Sequence, residues 1–239
     1  MRRILALLVF LFAASPAAAI PVDLELVLAV DVSRSIDQDE AQLQREGYVR
    51  ALTDERVIQA IRSGLHGRIA IAYVEWAAAH LQFTLIGWTL IKDRASAETF
   101  AGKLAEMPIQ AHSRTSISGA IDYSARLFAN NGYEGERLVI DVSGDGRNND
   151  GRPAHLARNE AVAKGITING LPILNDRPTF GFPADANLDT YYETDVIGGP
   201  GAFMVVAQGF DAFAAAIMSK LIREIAQLTS DKGPEDLRQ

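Results

Sequence analysis

Three short polar clusters carry the residue types that could do chemistry. Asp31-Val32-Ser33-Arg34-Ser35 follows an aliphatic run, and Ser113-Arg114-Thr115-Ser116 opens a segment of helical periodicity. Ser143-Gly144-Asp145-Gly146 follows a second aliphatic run. Together they offer two carboxylates and several hydroxyls, all oxygen donors of modest charge. Such a set suits a hard ion such as Mg²⁺, which takes octahedral oxygen ligands and keeps part of its water. Two carboxylates only just neutralise the ion, which leaves it electrophilic enough to take a carboxylate from another molecule. Each residue also has a plainer role open to it. Ser35 with Gln38 spells a capping box, Thr115 could be an ordinary N-cap, and Asp145 could be a turn aspartate. Three independent caps in this order are less expected than one site.

For the clusters to meet, the elements around them must bring three chain reversals to one edge. Residues 24–30 (LELVLAV) read as a buried strand ending at Asp31, because a short aliphatic run bounded by polar residues fits a strand covered on both faces. Residues 36–63 read as helix, broken near Thr53. Residues 68–76 and 80–88 read as strands, and the alanines between them are too few for a crossover, so this pair should be antiparallel. Helices are expected over 95–106, 115–129 and 153–164, with Pro153 in the first turn of the last. Strands are expected over 137–142 and 166–171. The Pro-, Gly- and Asp-rich stretch 172–200 should hold a short helix over 188–194. A strand over 203–207 and a final helix lined by Phe210, Phe213, Ile217, Leu221 and Ile225 complete the set. Strands alternating with helices make the fold class α/β, an open and mostly parallel doubly wound sheet with one antiparallel edge strand and helices on both faces. In such sheets ligands bind beyond the carboxyl ends of the strands, where all three clusters fall.

The chain has 239 residues, 48% of them hydrophobic and 22% charged, and a formal net charge of −7. That suffices for one domain with a sizeable core. The acidic balance disfavours nucleic acid as a partner, and the absence of cysteine excludes disulfides, thiolate metal sites and cysteine catalysis. Arg2 and Arg3, an apolar run to Ala14, and Ala17-Ala18-Ala19 have the form of a cleaved secretory signal peptide over residues 1–19. The apolar run falls short of the roughly 20 residues a membrane span needs, so no membrane insertion is expected. Export follows from this reading, to a periplasm with secretion as the alternative, with a domain over 20–228 and a polar tail over 229–239. The motifs of EF-hands, nucleophile elbows, phosphate-binding P-loops and H-E-x-x-H metalloproteases fail or are missing.

At this point the sequence resembles the von Willebrand factor type A (VWA) superfamily. Asp31-x-Ser33-x-Ser35, a distant Thr115 and a more distant Asp145-Gly146 follow the order of that superfamily's metal-ion-dependent adhesion site (MIDAS). The resemblance implies a Rossmann-like VWA fold and a site for Mg²⁺ or Mn²⁺. It further implies Ser33, Ser35 and Thr115 as direct ligands, Asp31 and Asp145 acting partly through water, and a partner's acidic residue as the sixth ligand. Residues 196–203 (VIGGPGAF), with the DVSGDG loop, look more narrowly like a family of exported bacterial VWA-like proteins of unknown function. The fourth-strand loop is one residue longer than the usual Thr-Asp-Gly, which leaves Asp145 and Asp141 as candidates. The flanking glycines favour Asp145, and an unpaired carboxylate inside a central strand would be costly.

The leading expectation is therefore an exported, non-enzymatic binding module that captures a protein partner's Asp or Glu through the metal. Arg34, Arg114, Arg147 and the 172–200 stretch would rim the same face. Two other readings stand beside it. One is a metal-assisted hydrolase using Glu75 or His112 as general base, and the other is an interaction protein whose site is vestigial. Glu75 could alternatively support the site indirectly, and Tyr191-Tyr192 could dock a partner or pack a short helix onto the sheet. Nothing in the sequence sets the oligomeric state.

Overall fold

A computed structural model describes residues 18–174, 185 and 187–226. All but the last two residues of the expected signal peptide lie outside them, as does the expected tail over 229–239. The aliphatic runs become strands enclosed on both faces: every residue of β2 (Leu24–Asp31) and β3 (Ile69–Trp76) is buried. With β4 (Gln82–Ile91), β6 (Leu138–Gly144) and β7 (Ile166–Pro172), they form a five-stranded sheet in the order β4-β3-β2-β6-β7. β2 pairs in parallel with both β3 and β6, and β6 with β7. Only β4 runs antiparallel, as its short connection to β3 demands. A separate two-stranded parallel sheet of β1 (Ile20–Val22) and β5 (Tyr133–Gly135) was not anticipated.

The long first helix breaks where the sequence suggested. α1 (Gln38–Thr53) ends at Asp54, whose carboxylate accepts from Arg56 N–H and so caps α2 (Glu55–Arg62). α1, α2, α3 (Arg94–Glu106) and α7 (Phe213–Ala226) pack on one face of the sheet. α4 (Ile117–Leu127), α5 (Ala154–Val162) and α6 (Leu188–Tyr191) pack on the other. Each face is a continuous apolar cluster, and removing these faces from water is the dominant stabilising term.

Two of the plainer roles fall away and two local expectations are corrected. The cap of α1 is Asp37, which exchanges bonds with Glu40, so Ser35 is not a helix cap. Ser116 caps α4 by accepting from Gly119 N–H, so Thr115 is not a cap either. Pro153 stands at the N-cap of α5 rather than in its first turn. Residues 203–207 run beside β7 at the parallel bridges Gly170–Met204 and Ile173–Ala207, with Val205 N–H donating to Gly170 O and Ala207 N–H to Pro172 O, but are not a strand of the sheet. No full ladder forms there, because Pro172 has no N–H to continue the parallel pattern; at the segment's start the Phe203 N–H donates to the Asn169 side chain.

The topology has one consequence for function. From β2 the chain moves outward to β3 and β4, then returns across the sheet to β6 on the other side of β2. The order therefore reverses between β2 and β6, and the crevice at their carboxyl ends is where open α/β sheets bind ligands. Asp31 ends one of those strands, and Asp145 follows the other.

Candidate metal centre

Strand parity aims Asp31. Along β2, Val27 and Ala29 pack into the layer of α4 and α5, and Asp31 continues that alternation to the strand's end. Asp31 is fully buried, and its Oδ1 accepts the Ser33 N–H at 2.7 Å, turning the chain back over the strand end. Its Oδ2 has no hydrogen-bond partner among the described residues. The Ser33 and Ser35 hydroxyls lie 2.9 Å apart, and Ser35 Oγ donates to Asp145 Oδ1 at 2.5 Å. Ser33, Ser35 and Asp145 thus form one hydrogen-bonded chain at the end of the sheet, with Asp31 tied to it through the Ser33 amide.

Gly144 makes the approach possible. A Cβ there would stand 2.8 Å from Asp31 Oδ2, closer than real Cβ contacts come. A Cβ on Gly146 would lie 3.8 Å from Thr115 Oγ1, so the Asp145 loop also passes beside Thr115. Thr115 is held in place by reciprocal bonds with Asn149: its N–H donates to Asn149 Oδ1 at 2.9 Å, and Asn149 N–H donates to Thr115 O at 2.8 Å. Asn148 Oδ1 accepts from Ser118 N–H, Ser116 Oγ donates to Asp150 O, and Asp150 Oδ2 accepts from Ala79 N–H. This knot was missed from the sequence, where the N-N-D run after β6 reads as an ordinary polar loop.

Asp141 is excluded from the cluster by the same parity. It shares the face of Val139, toward α7, and its Oδ1 lies 2.6 Å from Lys220 Nζ in a fully buried ion pair. Lys220 also lies 2.7 Å from Glu224 Oε1, which accepts from Asn169 Nδ2 at 2.8 Å. Glu75 is likewise committed elsewhere: it pairs with Arg45, whose guanidinium also donates to the carbonyls of Leu104 and Met107. That corrects its expected place near the site and removes it as a general base. His112 is pinned through its backbone to Val32 O, and its ring stacks on Phe83.

The electrostatics of the two carboxylates suit a cation. Burial first, then the charge of Asp145, holds the Asp31 carboxyl well above its ordinary value. Burial pushes Asp145 up to about 6, with Glu40 adding to the rise and the Ser35 hydrogen bond opposing it. Carboxylates gathered out of water without a counter-charge resist ionisation, and a divalent cation would reverse that logic. Asp31, Ser33, Ser35, Thr115 and Asp145 have the oxygen chemistry to hold such an ion. Among the described residues no group of three or more His, Cys, Asp or Glu gathers that could do so, so any ion here must rely on hydroxyls and water. The expected cationic rim is only partly present. Arg34 is exposed and Arg114 is exposed with a left-handed φ of 70°, its nearest carboxylate being Asp150 at 4.0 Å. Arg147 is instead occupied by Asp185, Asn187 O and the Tyr191 ring.

A family model described as protein of unknown function (DUF1194) matches residues 21–229. No curated protein sequence matches the chain. Among solved structures, the fold is similar to proximal thread matrix protein 1 from the mussel byssus, described with a zinc-occupied MIDAS motif. That match has a TM-score of 0.65 at 14% identity, covering 88% of this chain and 50% of the mussel protein. A von Willebrand factor type A protein from Catenulispora acidiphila matches with a TM-score of 0.57 at 13% identity, over 87% of this chain and 43% of that one. The conserved hypothetical protein BatB from Bacteroides thetaiotaomicron matches with a TM-score of 0.52 at 20% identity, over 85% of this chain and 99% of that one. The chain thus spans about half the length of the mussel protein. At these identities the likeness is one of fold, and the fold is of the VWA type.

Proposed function

The chain belongs to the DUF1194 family, and from that membership and its VWA-type fold we propose a protein-interaction module that captures a partner's carboxylate through a divalent cation. Asp31, Ser33, Ser35, Thr115 and Asp145 hold the ion, Mg²⁺ or Mn²⁺, and the partner's Asp or Glu completes its coordination. One observation carries the reading: a fully buried aspartate with an unpartnered oxygen stands beside a chain of hydroxyls and a second carboxylate at the sheet's switch point. A buried carboxylate oxygen left without a partner is a cost to the fold, which a cation binding there would offset. The zinc reported in the mussel protein's MIDAS motif supports a divalent ion in this fold without deciding which one.

The partner would approach over Arg34 and Arg114, which favour an acidic segment on an otherwise acidic protein. The protein acts outside the cytoplasm, delivered by the segment 1–19. Among the described residues no helix is long and apolar enough to cross a membrane. The test is a thermal-shift series on chelator-stripped protein with Mg²⁺ or Mn²⁺, each with a blocked Glu-containing peptide or its Gln counterpart. The reading predicts a rise with metal and a further rise with the Glu peptide alone. Equal responses to the Glu and Gln peptides would refute carboxylate capture.

A further inference from the structure

Tyr192 packs its short helix onto the sheet, as its sequence allowed, and in doing so enters the same crevice from behind. Its side chain is wholly buried, and its ring crosses both β6 and β7 at glycines. A Cβ on Gly170 would stand 2.8 Å from its Cδ1, and one on Gly144 would stand 3.1 Å from its hydroxyl. That same point over Gly144 is 2.8 Å from Asp31 Oδ2. The phenol oxygen and the free oxygen of Asp31 therefore face one point across a residue that has no side chain. Neither has a hydrogen-bond partner among the described residues. Two complementary groups, a donor and an acceptor, lie unpaired and buried side by side. A phenylalanine would fill the slot equally well and avoid leaving a hydroxyl unsatisfied, which costs about 1–3 kcal/mol. The residue also begins a π-helical turn, Tyr192–Val196, a conformation that occurs mostly as short bulges, often at functional sites.

We infer that the Tyr192 hydroxyl is a positioning group of the metal centre, the donor that orients Asp31 through its second oxygen, directly or through water, when a divalent cation is bound. The inference rests on the metal-site reading above and extends it by one residue. Asp31 Oδ1 is already fixed by the Ser33 amide. A donor on Oδ2 fixes the carboxylate plane, and partners of ligating carboxylates commonly matter this much to metal affinity. The hydroxyl touches no partner, so its role is confined to the ion.

Tyr192→Phe tests it, with Tyr191→Phe as control and Mg²⁺ as the probe. In chelator, Tyr192→Phe should melt at or above the temperature of the unaltered protein, because it removes an unpaired hydroxyl and no contact. In calorimetric titration its Mg²⁺ affinity should fall by roughly 10- to 100-fold, and the near-ultraviolet tyrosine dichroism change that accompanies Mg²⁺ binding should be lost. Tyr191→Phe should change neither. Unchanged Mg²⁺ affinity in Tyr192→Phe, with the unaltered protein binding normally, overturns the inference alone. So does a lower melting temperature in chelator, which would mean that the hydroxyl serves the fold without metal. An unaltered protein that binds no Mg²⁺ overturns the metal-site reading and this inference together.

Discussion

Ser35 and Asp37 stand two residues apart and do different work. Asp37 closes the first turn of α1 by accepting from Glu40 N–H at 2.8 Å, while Ser35 links the Ser33 hydroxyl to the Asp145 carboxylate. The S-x-x-Q spelling around Ser35 pointed to a cap, but the capping box is built two residues later from Asp37 and Glu40. This division predicts opposite phenotypes. Asp37→Ala should cost about 1 kcal/mol in urea unfolding, the usual price of a lost N-cap, and leave Mg²⁺ affinity within a factor of about two or three. Ser35→Ala should weaken Mg²⁺ binding clearly while leaving helix content by far-ultraviolet dichroism unchanged. If Ser35→Ala instead frays α1 and binds Mg²⁺ normally, the serine is structural and the assignment of its role fails.

The last helix, α7, is bound to the sheet by charge as well as by apolar contact. One ammonium, Lys220, faces two carboxylates, Asp141 and Glu224, all fully buried, with Asn169 and the Tyr48 ring nearby. A proton on one acid makes the group neutral, and burial, only partly offset by Lys220, raises Asp141 to about 7. The sign follows from linkage: a carboxyl whose folded value lies above its unfolded value stabilises the fold fully below about pH 4, and that contribution fades as pH rises through 7. Relative to Asp141→Asn, the unaltered protein should therefore lose stability between pH 5 and pH 8, measured by urea unfolding. Lys220→Met should cost about 3–5 kcal/mol at pH 8, where it strands two carboxylates, and less at pH 5, where they can take protons. Loss of equal size at both pH values would show that the cluster is not electrostatically coupled. Much of this architecture was legible in the sequence. The aliphatic runs gave the central strands, and the three-alanine connection gave the antiparallel edge. The Lys220 cluster was not legible, because an i,i+4 Lys–Glu pair on a helix ordinarily faces water. β1 and β5 were too short to show a period, and the place of Tyr192 depends on two glycines in separate strands.

Across the whole molecule, the candidate site is a product of topology rather than of any single motif. Four parallel strands place their carboxyl ends on one edge, and the reversal between β2 and β6 opens the crevice that Asp31 and Asp145 flank. The bonds of Asn148, Asn149 and Asp150 then tie the third cluster to the helix start that carries Thr115. On an acidic chain, the exposed Arg34 and Arg114 beside that crevice would, on the proposed reading, favour an anionic partner there over the rest of the surface. The proposed role, unlike the fold, depends on the cation. The most direct measurement is calorimetric titration of Mg²⁺ and Mn²⁺ into chelator-stripped protein, beside an Asp31→Ala/Ser33→Ala double variant that keeps its fold by circular dichroism. Saturable binding near one ion per chain, abolished in the double variant, is the result expected here. No binding to the unaltered protein, or equal binding to both, would contradict a metal centre at the end of β2.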